Sequence, residues 1–188
     1  MSSPFASVDP FADPFTLELQ RIRGLIEVGQ LQPAAQALNA AQKQAPTDAR
    51  VPLVGMRLAQ QAGNVPAAIQ AARKALALAP DWHVAQIELA LMLAKDKQGD
   101  EALSLAMQAL ANEPLDKQVM IGAINVALYA ERIEQTRRWA EDGVRRFPDE
   151  LGIRLFLARF LASQDEYALA REHYAHVQAR LPQHDETL

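Results

Sequence analysis

His173 and His176 stand three residues apart, so both imidazoles could share one helix face, the arrangement metal-binding pairs use. A suitably placed third ligand is missing. The chain contains no Cys, which excludes thiolate ligands, iron–sulfur clusters, disulfides and a cysteine nucleophile. It also has no glycine-rich phosphate loop, no Ser-His-Asp candidate and no Glu/His metalloprotease pattern. The expectation is a chain with no cofactor, no metal and no catalytic residue. Recognition chemistry is better represented. Arg23, Arg57, Asn125 and Arg159 are separated by multiples of 34 residues. Guanidinium groups pair with carboxylates and an Asn amide bonds a peptide backbone, so a column of this kind suits a protein ligand.

The elements that carry this column repeat with the same period. Pro46, Pro80, Pro114, Pro148 and Pro182 follow one another at intervals of 34 without drift. Taking each as the 32nd residue of a unit gives five units, 15–48, 49–82, 83–116, 117–150 and 151–184, between a 1–14 tail and a 185–188 tail. The 20th position reads Ala34, Ala68, Ala102, Thr136 and Ala170, and the 27th reads Ala41, Ala75, Ala109, Gly143 and Val177. These positions lie about two helical turns apart on one face, so small residues there let a second helix approach the first closely. Apolar residues at the 5th position, Leu19, Leu53, Ile87, Ile121 and Leu155, belong to that first helix. Gly29 and Gly63 at the 15th position break the chain between the two, and the proline stops the second. Lys97 and Glu131 replace that Gly in the third and fourth units, with Gly99 and Asp100 expected to turn the third. Pro52 falls in the first turn of a helix. The fourth unit, with Thr136, Arg137 and Gly143 against mostly Ala and apolar residues elsewhere, is expected to be the weakest.

Period, small-residue columns and terminal proline together resemble the tetratricopeptide repeat family over residues 15–184. The resemblance implies an all-α, right-handed α-solenoid of five helix-turn-helix hairpins whose first helices line a concave groove. By the family's pattern Arg23, Arg50, Arg57, Asn125, Tyr129, Phe156 and Arg159 face that groove. Asn125, Tyr129 and Arg159 are expected to form one contact zone. Relatives that grip chaperone tails use Lys and Asn at the 5th and 9th positions; the aliphatic 5th column here lacks that clamp.

Composition agrees with helices, since 35 Ala and 24 Leu outnumber 18 Val and Ile. Nineteen basic against 23 acidic residues give a net charge of −4, and neither half has the basic excess that nucleic acid demands. The start has neither a basic region nor an apolar run, and the notable uncharged run 118–130 is too short to span a bilayer, so a cytoplasmic protein without membrane insertion is expected. Asp13 and Pro14 are expected to cap and open the first helix, leaving Phe5 and Phe11 of Ser-Pro-Phe and Asp-Pro-Phe to cover apolar surface. The functional expectation is a non-enzymatic scaffold that binds a protein or peptide segment in its groove. Homodimers through the array ends or the N-terminal tail are a further expectation. An alternative is an N-terminal recruitment module of a larger enzyme of the methyltransferase or sulfotransferase class.

Overall fold

The computed structural model describes residues 13–180; Phe5, Phe11 and Pro182 lie outside them. The described residues form ten α-helices and no strand: α1(Pro14–Glu27), α2(Leu31–Gln44), α3(Arg50–Gln61), α4(Val65–Leu78), α5(His83–Lys95), α6(Gly99–Asn112), α7(Lys117–Tyr129), α8(Ile133–Arg146), α9(Leu151–Ser163) and α10(Tyr167–Arg180). The second helices begin at residues 31, 65, 99, 133 and 167 and each has 14 residues, so the period of the sequence is the period of the fold.

Local chemistry sets most of the boundaries. The Asp13 carboxylate accepts from Thr16 N at 3.0 Å and Pro14 occupies the first helical turn of α1, as expected. Asn64 caps α4 through Ala67 N, and Asp116 caps α7 through Gln118 N at 2.7 Å. Each of α2, α4, α6 and α8 stops two residues before its proline, and the residue between, Ala45, Ala79, Glu113 or Phe147, has φ from −141° to −125°. Proline enforces that extended geometry on its predecessor. Pro52 sits at the third position of α3, where an amide hydrogen would have no intrahelical acceptor, so no helical bond is lost.

The turn inside each hairpin corrects the expectation for the third unit. Gly99 is the first residue of α6, and Lys97 itself makes the turn with φ 64°. The whole 15th column is left-handed: Gly29, Gly63, Lys97, Glu131 and Asp165 have φ between 57° and 76°. In each case the next amide reaches back across the helix end, as in Gln98 N to Leu93 O at 2.8 Å and Arg132 N to Ala127 O at 2.9 Å. This closure satisfies orphan carbonyls and holds a residue with a Cβ in a conformation that costs it about 1–2 kcal/mol.

Packing follows the small-residue columns. Ala34, Ala68, Ala102, Thr136 and Ala170 are buried, as are Ala41, Ala75, Ala109, Gly143 and Val177. Buried Thr136 stays satisfied because its hydroxyl donates to Arg132 O at 3.0 Å. Arg137 forms an ion pair with Glu166 of the next unit at 2.6 Å. Each second helix packs on its own first helix, and α2, α4, α6 and α8 also pack on the following first helix. In the first-helix layer α1 packs on α3 and α5 on α7, whereas the α3/α5 and α7/α9 steps are looser. Neighbouring second helices make no comparable contact. A double layer closer on one side than the other must curve, which places the first helices on the concave face.

Candidate functional site

The concave layer holds two clefts. The first, a half-open hollow of about 100 Å³, lies between α1 and α3, with Trp82 at the N-cap of α5 closing one side. Its floor is apolar, built by Leu19 and Leu53 of the 5th column together with Val54 and Trp82. Thr16, Gln20, Arg23, Arg50 and Arg57 surround that floor. Helical spacing explains the set: Thr16, Leu19, Gln20 and Arg23 recur at three- and four-residue steps on α1, as Arg50, Leu53, Val54 and Arg57 do on α3.

The three guanidinium groups are held differently. Arg50 is held by Asp48, with Nη2 2.6 Å from its Oδ2, while Nη1 donates to Thr16 Oγ1 at 2.8 Å across the α1/α3 step and Cζ lies 5.6 Å from the Phe15 ring centroid. The Asp48 contact raises the Arg50 pKa and lowers that of the carboxyl. Arg57 Nη2 donates a hydrogen bond to Glu88 Oε1 at 3.0 Å, bridging the looser α3/α5 step. Arg23 is half-buried, and burial, with the charge of Arg57 beside it, pushes its pKa down against the opposing pull of Glu27 and Glu88. A carboxylate entering the cleft meets two cations placed side by side above apolar surface.

The second cleft lies between α7 and α9 and is lined by Ile121, Ile124, Asn125, Gly152, Ile153 and Phe156. Phe156 stacks on Phe160 with ring centroids 6.2 Å apart. The expected zone of Asn125, Tyr129 and Arg159 does not assemble in either cleft. Asn125 lines the second; Tyr129 stands at the end of α7 with Lys95 Nζ 4.7 Å from its ring centroid and lines a separate pocket with Lys97, Glu131 and Arg132. Arg159 is exposed on α9 and lines none of these hollows. The structure thus divides the seven residues into an arginine set, Arg23, Arg50 and Arg57, and an Asn125/Phe156 set, with Tyr129 and Arg159 apart. Trp82 and Thr16 escaped the sequence reading: Trp82 lies in a connection, and Thr16, though it shares the 2nd column with Arg50, carries no charge or ring to single it out.

His173 and His176 lie half-buried on α10, and Arg154 of α9 is also half-buried. Burial and the Arg154 charge push both imidazoles below their ordinary pKa and favour the neutral form. Among the described residues no group of three or more His, Asp or Glu is arranged to hold a metal ion. Nor is any helix among them long and apolar enough to cross a membrane.

Fold and clefts together define an α-solenoid of helical hairpins with two clefts in its first-helix layer. Among solved structures, the chain is similar to MamA residues 41 to the end from Desulfovibrio magneticus RS-1, with a TM-score of 0.71 and 20% identity over 89% of this chain and 95% of that one. PilF of Pseudomonas aeruginosa gives a TM-score of 0.73 and 21% identity over 90% of this chain and 77% of that one. MamA AMB-1 gives 0.66 and 16% identity over 86% and 95% of the two chains. No family model matches the sequence, and no curated protein does so either.

Proposed function

We propose that this chain is a non-enzymatic interaction scaffold of the tetratricopeptide type, holding an apolar, carboxylate-bearing peptide or helical segment on its concave face. The observation that supports this is the α1/α3 cleft, where the apolar floor of Leu19, Leu53, Val54 and Trp82 lies beneath Arg23, Arg50 and Arg57. Apolar side chains of the partner desolvate against the floor, and its carboxylates pair with the guanidinium groups in a site of reduced dielectric. Because Arg50 is already anchored by Asp48, it loses little freedom on meeting a partner and acts as a fixed donor. Arg57, bonded to Glu88, and Arg23 add further positive charge beside the floor.

A panel of short peptides combining aromatic or aliphatic residues with Asp or Glu, followed by fluorescence anisotropy, tests this reading. Peptides that bind should lose at least about tenfold in affinity to Arg57→Glu, since a charge-assisted hydrogen bond contributes about 1.5–3 kcal/mol and the reversed charge repels. Arg159→Glu should bind as the unaltered chain does. Equal binding by all three proteins, with helicity intact by circular dichroism, would place recognition elsewhere.

A further inference from the structure

We propose that residues 1–12 of this same chain dock into the α1/α3 cleft through Phe5 and Phe11, so that the protein carries its own competitor for the partner segment. The inference rests on the cleft being a peptide site and goes beyond it by naming an occupant. Three features on the molecule point to this segment.

The first is attachment. The segment joins the helical array at Asp13, whose carboxylate lies 3.9 Å from Arg50 Nη1, and Thr16, one turn further on, already lines the cleft. Twelve residues reach at most about 40 Å from that anchor, more than enough to traverse a hollow bounded by two neighbouring helices. The second is chemistry. The sequence Ser3-Pro4-Phe5 and Asp9-Pro10-Phe11 supplies two aromatic rings and one carboxylate, without a basic side chain between Ser2 and Ala12. The rings match the floor of Leu19, Leu53, Val54 and Trp82, and Asp9 matches the adjacent Arg23 and Arg57. The third is entropy. Pro4 and Pro10 restrict the residues before them to extended geometry, which lowers the cost of ordering the segment. Tethering adds an effective concentration of order millimolar, so even a weak contact is largely made within one molecule. A partner must then displace the segment, and its apparent affinity falls by the fraction of clefts already filled.

The experiment uses the full chain and its two tryptophans. Trp139 is buried in the core, while Trp82 borders the cleft and reports on its occupancy. Acrylamide quenching of tryptophan emission should rise about twofold when Phe5 and Phe11 are both changed to Ala, and the rise should vanish in a Trp82→Phe background. A synthetic peptide of residues 1–13 should then bind the Phe5→Ala/Phe11→Ala chain saturably, and bind the unaltered chain at least about tenfold more weakly. Identical quenching in the two chains overturns the proposal. A quenching difference that appears only as protein concentration rises also overturns it, assigning the cleft to the segment of a second copy. If the 1–13 peptide fails to bind while other apolar, acidic peptides still bind and lose affinity to Arg57→Glu, this inference falls and the scaffold reading stands. If no peptide of either kind binds, both fall.

Discussion

The α5/α7 step and the α7/α9 step join the same kind of helix in the same repeat, yet one is closed and the other holds a cleft. The 6th column, which reads Gln20, Val54, Glu88, Gly122 and Phe156, accounts for the difference. At Gly122 an added Cβ would overlap Ile87 Cγ2 of the preceding first helix, so the absence of a side chain is what lets α7 seat on α5. One unit later Phe156 stands where Gly122 stood, and the wall it shares with Ile121 bounds an open hollow. Volume does not separate the other two steps, whose residues in this column are of similar size. Val54 accompanies the close α1/α3 contact and Glu88 the looser α3/α5 one. At the α5/α7 and α7/α9 steps, side-chain volume in this one column separates a closed contact from a cleft.

The largest test of this rule is to place the bulky residue at the closed step. Gly122→Phe should destabilise the chain by about 3 kcal/mol or more, because overpacking adds to the loss of the Ile87 contact. That corresponds to a melting temperature lower by about 6–12 °C, and an unchanged midpoint would break the rule. A smaller effect separates two glycines. Alanine favours a helix by about 1 kcal/mol over glycine, so Gly→Ala gains unless space is lacking. At Gly122 the obstacle is the stiff, β-branched Ile87, and a net loss of about 1 kcal/mol is expected. At Gly143 the new Cβ would lie 3.0 Å from Ile153 Cγ2 and 3.1 Å from Met120 Cγ, tight contacts that shifts of about a few tenths of an ångström relieve, the flexible Met120 giving most easily. Gly143→Ala should therefore come out within about 0.5 kcal/mol of neutral in denaturant unfolding, and the gap between the two variants sharpens the comparison.

The smallest expected effect lies beyond the open step, in the α9/α10 hairpin. The folded state holds His173 and His176 below their ordinary pKa, so the unfolded chain binds protons more readily. Stability is unaffected well above the ordinary imidazole value near pH 6.5 and declines as pH falls through it toward the lower folded values. Replacing both histidines by Gln should flatten the pH dependence of urea midpoints between about pH 7 and 5. The same slope in the variant would assign it to other groups.

Much of the fold was legible because each hairpin is decided within 34 residues of sequence. Ala68 and Ala75 announce a close helix pair, Pro80 announces its end, and Asp13 with Pro14 announces a beginning; all act on near neighbours. The turn at Lys97 was not legible, since sequence offers Gly99 as the obvious left-handed residue while the backbone closure from Gln98 to Leu93 fixes the site two residues earlier. The clefts were only half legible. Column spacing found Arg23, Arg50 and Arg57, but the split from Asn125 and Phe156 depends on pairs such as Ile87 with Gly122, residues 35 apart whose fit is a matter of volume. Trp82 enters the cleft from a connection that no helical period describes.

Alternation of closed and looser steps also has a mechanical meaning. With helices closer at the α1/α3 and α5/α7 steps than at the α3/α5 and α7/α9 steps, the first-helix layer is expected to behave as blocks with joints between them. Compliance in series is dominated by its softest members, so tension applied at the two ends of the array would be taken up mainly at those joints. Arg57 and Glu88 span one joint and Ile121 and Phe156 face each other across the other. The second cleft lies in a joint, so stretching or bending the solenoid would change its width before that of the first cleft, which sits within the α1/α3 block.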